Sequence, residues 1–149
     1  MNNAQARPDG RTGFGLDELT VGMEARYSRT VTEADIVQFA EVSGDHNPVH
    51  LDEAFARTTM FKGRIAHGML SAGYISTVIA SKLPGPGSIY LGQNLSFKAP
   101  VRIGDTVEAI VTVKEVFPEK SRVSLKTVCK VGDTVVIDGE ALVMVPRGA

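Results

Sequence analysis

From Gly68 to Ser81 the chain runs through fourteen residues without a charge. Met69, Leu70, Ala72, Tyr74, Ile75, Val78, Ile79 and Ala80 recur at helical spacing and leave no broad polar face. A helix that is apolar nearly all round belongs in an interior. Extended to His67 and Leu83 it would be roughly 25 Å long at 1.5 Å per residue. That is short for a bilayer, and the segment is rich in Ser and Gly. The rest of the chain must therefore supply a cover for this helix.

The segment after the LPGPG break has the composition for that task. Ser88 to Phe97, Asp105 to Val116, Arg122 to Val131 and Thr134 to Val145 are β-rich runs. Turn signals separate them at Ala99-Pro100, at Phe117 to Lys120 and at Gly132-Asp133. In the second run Val107, Ala109, Val111 and Val113 alternate with Glu108, Thr112 and Lys114, which describes a sheet with one dry and one wet face. Connections this short make neighbouring strands antiparallel. A buried helix followed by such strands predicts an α+β fold, with a long central helix wrapped by a curved antiparallel sheet.

At 149 residues the chain has the size of one domain, with no internal repeat or linker to divide it. The first thirteen residues are polar and broken by Pro8 and Gly10, so a flexible tail is expected there and the folded domain from Phe14 to Ala149. Glu24 to Val31 has the length and partial alternation of a strand. Thr32 then reads as an N-cap with Asp35 at the capping-box position, opening a helix that faces inward through Ile36, Phe39 and Ala40 and stops near Gly44.

A formal net charge of −1 provides no general attraction to nucleic acid or anionic lipid. No secretory signal is visible at the start, and a cytoplasmic protein without a membrane partner is the default expectation. The one cysteine, Cys129, falls in a strand pattern and reads as a small buried hydrophobe.

Chemistry concentrates in Ser43 to His50, SGDHNPVH. A carboxylate, Asp45, and an imidazole, His50, flank the stiff Asn47-Pro48 pair, which can hold two proton-transfer groups in a reproducible relation. Each residue also has an ordinary reading. Asn47 and Pro48 make an N-cap and first-turn pair for a short helix through Phe55. Asp45 alone suits an Asx turn, and His50 alone a half-buried structural histidine. His46 and His50 are four apart, as helical metal ligands can be, but Pro48 intervenes and no third ligand is evident, so no metal is expected. His67 fits a structural hydrogen bond at the start of the apolar helix better than a second base.

Three stretches, VTEADIVQFAEVSGDHNPVH, FKGRIAHGMLSAGYIS and GSIYLGQNLSFKAPVRIGDTV, together resemble the MaoC-like, R-specific enoyl-CoA hydratases of the hot dog fold. The resemblance extends from about Val21 to Val145 and rests on a DxNPxH pattern followed by IAHGM. It implies reversible hydration of trans-2-enoyl-CoA to (R)-3-hydroxyacyl-CoA, with no cofactor beyond the CoA of the substrate, in a homodimer. The same chemistry serves polyester precursor supply and fatty acid metabolism. Carried onto this chain, it implies Asp45 and His50 as the catalytic pair, Asn47 as their support and the Gly68 N–H as oxyanion donor. Asp45 is then the base and His50 orients water or relays a proton. Asn47, His67 and Ile79 become substrate-binding candidates, Ile79 as a wall of the acyl pocket. Lys62, Arg64, Lys82 and Lys98 are possible partners for the CoA phosphates. Two other functions stay open, a hot dog acyl-CoA thioesterase and a noncatalytic acyl-thioester-binding subunit.

Overall fold

A computed structural model describes residues 12–147. The expected tail, residues 1–13, falls almost entirely outside the described residues. By Phe14 the chain is attached, its N–H donating to the Pro84 carbonyl at 2.8 Å.

Among the described residues five strands form one antiparallel sheet: β1 (Glu24–Thr30), β2 (Ile89–Phe97), β3 (Thr106–Phe117), β4 (Arg122–Val131) and β5 (Thr134–Met144). Their order across the sheet is β1-β3-β4-β5-β2. The expected strands are thus present with ends shifted by a residue or so, and β3, β4 and β5 form a meander through tight turns. Ser121 and Gly132, at those turns, adopt left-handed backbone with φ of 53° and 59°. Short connections do not pair every consecutive strand, however. β2 lies at the far edge beside β5, and residues 98–105 carry the chain back across the end of the sheet to β3.

Four helices join β1 to β2: α1 (Glu33–Ser43), α2 (Pro48–Leu51), α3 (Glu53–Ala56) and α4 (Gly68–Ser81). The Thr32 hydroxyl accepts from the Asp35 N–H and the Asp35 carboxylate accepts from the Thr32 N–H, completing the predicted capping box of α1. Gly44 ends that helix at φ 82°, the left-handed region that glycine enters freely. The short helix expected through Phe55 is instead two single turns. Asp52, extended at φ −120° and ψ 106°, interrupts it and caps the second turn through its own carboxylate.

The sheet packs its dry face on α4. Val107, Ala109, Val111 and Val113 of β3 meet Val123, Leu125 and Cys129 of β4 and Ile137, Ala141 and Val143 of β5, around Ile75, Val78, Ile79 and Leu83. Register shifts at Tyr90/Gly92, Val113/Glu115 and Cys129/Lys130 mark bulges, which add twist and help the sheet to curve. The helix is less enclosed than its composition predicts. Ser71, Tyr74, Ile75, Val78 and Ile79 are buried, while Met69, Gly73 and Ala80 are exposed along the other side. Among the described residues no helix is long and apolar enough to cross a membrane.

Candidate active site

At the N-terminus of α4 a cavity of about 570 Å³ opens between the α1–α2 loop, the crossover segment after β2 and the start of β5. Asp45, His50, His67 and Gly68 line it, and most of the remaining wall is apolar, from Phe61, Ile65, Ala66, Phe97, Val101 and Ile137. Asp45, His50 and His67 each place one donor atom within 4.8 Å of the others.

Local sequence explains how Asp45 and His50 are held. Asp45 follows the C-cap Gly44, its N–H donating to Ser43 Oγ at 3.1 Å. Its Oδ1 accepts the Asn47 N–H at 3.1 Å, an Asx turn that fixes the carboxylate and leaves Oδ2 available. The Asn47 side chain accepts from the Val49 N–H as the cap of α2. Pro48 occupies the first helical position, where no N–H is needed. One turn of helix then buries His50 beneath the loop, 8% exposed.

A second segment, Arg64 to His67, holds the loop from behind. His50 Nδ1 donates to the Ile65 carbonyl at 2.8 Å, which fixes the tautomer and leaves Nε2 for a water or a substrate. The Ile65 N–H in turn donates to the Val49 carbonyl at 3.2 Å. Arg64 Nε donates to the His50 carbonyl at 2.7 Å, while its terminal nitrogens grip Glu33 at 2.8 and 3.0 Å. His67 Nε2 donates to the Asp45 carbonyl at 3.0 Å. Its ring stacks on His50 with centroids 3.9 Å apart and lies against Phe39 at 4.7 Å. Burial holds His67 below the usual histidine range, so at neutral pH it is an uncharged neighbour that adds no repulsion to the site.

Gly68 begins α4, where backbone N–H groups lack helical partners and the helix dipole favours negative charge. A Cβ at this position would lie 2.5 and 2.7 Å from Phe97 ring carbons, so the absence of a side chain lets the ring close against the backbone.

The sequence-derived candidates divide accordingly. Asp45, His50, His67 and Gly68 come together around one cavity. Asn47 does not line it and acts as a cap and a backbone anchor for Asp45. Ile79, the expected acyl-pocket wall, does not line this cavity: it is 1% exposed in the core, two turns further along α4 than the deepest helical residue on the cavity. Helical periodicity alone could not tell that the cavity ends near Ser71. Of the four cations considered for CoA phosphates, Lys98 lines the cavity, whereas Arg64 is committed to Glu33 and His50 and Lys82 Nζ bonds the Arg26 carbonyl. The groups that converge beside His50 are Asp45 and His67, while the His46 ring bonds to the Gly44 carbonyl and to Glu41. The Arg64 clamp carried no recognisable signal, since a lone arginine between loops reads equally well as a solvated charge.

The fold and this site define a class, and comparison with known proteins gives the same one: the chain belongs to the MaoC-like domain family, which it matches over residues 18–138. It is 56% identical over 131 residues to an "(R)-specific enoyl-CoA hydratase" of Rhodospirillum rubrum, covering 88% of this chain and 91% of that one. It is 52% identical over 132 residues to a "3-hydroxybutyryl-CoA dehydratase" of Methylorubrum extorquens, covering 89% and 84%. Among solved structures, an unliganded R-hydratase from Pseudomonas aeruginosa superposes with a TM-score of 0.85 at 48% identity, covering 92% of this chain and 88% of that one. The (R)-hydratase from A. caviae involved in PHA biosynthesis superposes at 0.83 with 46% identity, covering 87% and 98%. These neighbours have the hot dog fold that the family resemblance implies.

Proposed function

We propose that this protein is an (R)-specific enoyl-CoA hydratase, a hydro-lyase that reversibly adds water across the double bond of trans-2-enoyl-CoA. The observation that carries the reading is the convergence of Asp45, His50 and the N-terminus of α4 on one largely apolar cavity. Hydration of a conjugated thioester needs three things: removal of a proton from water as it attacks Cβ, delivery of a proton to Cα, and stabilisation of charge on the carbonyl oxygen.

In this reading the free carboxylate oxygen of Asp45 and Nε2 of His50 hold the water, and Asp45 takes its proton. His50 orients the water or relays a proton. The Gly68 N–H donates to the thioester oxygen, with the helix dipole behind it. The apolar wall accommodates the acyl chain, and Lys98 at the cavity is the favoured partner for a CoA phosphate. No metal or redox cofactor takes part, and the CoA is part of the substrate. Supply of hydroxyacyl precursors for polyhydroxyalkanoate is a fitting physiological use, since a solved neighbour at 46% identity is described as a hydratase of PHA biosynthesis.

We further propose a homodimer. β2 is an edge strand with exposed Ile89, Tyr90 and Leu91, and α4 presents Met69, Gly73 and Ala80 outward. An open strand edge and an apolar stripe are surfaces that a second copy of the chain can cover.

The test is direct. With crotonyl-CoA, the purified chain should remove the conjugated-enone absorbance without releasing free thiol, and the product should be the (R) alcohol. Thiol release would identify a thioesterase instead. Asp45→Asn and His50→Ala should each lower kcat by about 100- to 10,000-fold while the protein stays folded. Retained activity in either variant would remove that residue from the mechanism.

A further inference from the structure

Two hydroxyls within the helices of this protein bond to the carbonyl four residues back. Ser43 Oγ donates to the Phe39 carbonyl at 2.5 Å, and Thr77 Oγ1 to the Gly73 carbonyl at 3.1 Å. Ser71, on the same helix as Thr77, makes no such bond. It is 1% exposed and lines the cavity, yet among the described residues its Oγ has no hydrogen-bond partner. The carbonyl it would otherwise use, that of His67, accepts the Leu70 N–H at 3.1 Å.

A buried hydroxyl that lines the cavity and has no protein partner keeps its proton available to a ligand there. Its position indicates which ligand atom that is. Residues three apart share a helix face, and side chains lean toward the helix N-terminus. Ser71 therefore leans back over the turn that begins at Gly68. Around it the wall is apolar, with Phe97, Val136 and Ile137 among the lining residues, so an acyl chain alone offers the hydroxyl nothing. The substrate atom that can reach both Gly68 and Ser71 is the thioester carbonyl oxygen.

We propose that Ser71 is a second catalytic hydrogen-bond donor to that oxygen, acting beside the Gly68 N–H. This rests on the hydratase reading above. As the water oxygen bonds to Cβ, the π electrons of the double bond move through Cα to the carbonyl oxygen. When Cα takes up its proton, they return. Ser71 keeps its own proton throughout and stabilises the charge only while it resides on oxygen.

Ser71→Ala separates this role from a structural one. With crotonyl-CoA, kcat should fall by about 100-fold, the loss expected for an oxyanion donor, with a much smaller change in KM. The melting temperature should stay the same or rise, because an unpartnered buried hydroxyl has been removed. Wild-type kcat in the variant would overturn the proposal. So would a fall in kcat with a parallel fall in melting temperature, which would mean that the hydroxyl serves packing or pairs with the free Nδ1 of His67. A wild-type protein that does not hydrate crotonyl-CoA would instead overturn the underlying hydratase reading, a separate result obtained before any variant is made.

Discussion

Asp45 and His50 could be read as a pair because the Asn47-Pro48 corner acts over only a few bonds. The Asx turn and the cap that hold them are local, and the residues responsible lie within the motif itself. Their supports, Arg64 and His67, come from outside it and meet the two carbonyl groups only in the folded chain. Arg64→Ala should therefore lower kcat while causing only a modest loss of stability, about 1–3 kcal/mol for a charged hydrogen-bond donor to a part-buried carbonyl. Its measurement is a melting curve beside a rate assay; an unchanged rate would show that the clamp does not position His50. Gly68→Ala should affect activity more than folding, because the Phe97 ring in its way is 53% exposed and can turn aside, but only by altering the cavity it lines.

Helix α1 forms for reasons its own sequence states, namely the Thr32–Asp35 capping box and the Gly44 stop. Asp35 also has a tertiary task. Its carboxylate, 7% exposed, receives two bonds from Arg29 of β1, at 2.7 and 3.1 Å. Arg29, and to a lesser degree the Thr32 N–H, hold the Asp35 carboxyl below its ordinary value against the opposing effect of burial. A depressed carboxyl contributes stability above its unfolded pKa, about 3.9, and loses it as pH falls through the lower folded value. Asp35→Asn should thus destabilise the protein at neutral pH by about 1–3 kcal/mol, measured by denaturant unfolding. The gap between variant and wild type should close in acid, once the pH has passed below both values. A gap that persists there would show that the charge of Asp35 is not the source of the stability. The interruption of the second helix at Asp52 was harder to foresee, because Asp52 can continue a turn or cap a new one, and contacts between loops decide.

In the assembled molecule the largest departure from expectation is the open side of α4. Ala80→Glu or Tyr90→Lys should shift the proposed homodimer toward monomer in sedimentation equilibrium, with little effect on the core, since both positions are exposed in the single chain. A monomeric wild type would reject the dimer. Cys129 reports on integrity: it is fully buried, and burial pushes its thiol up to about 12, so a thiol reagent should label it only on unfolding. The fold class, the strand boundaries to within about a residue, the caps and the Asp45–His50 pair are all written in local patterns of period, charge and turn chemistry. Neighbouring residues alone suffice to set those. The β1-β3-β4-β5-β2 order, the clamp from Arg64 and His67, the burial of Ile79 away from the cavity and the unpaired hydroxyl of Ser71 belong to packing. They depend on which distant segments share space around α4, and a one-dimensional pattern contains no distance between segments.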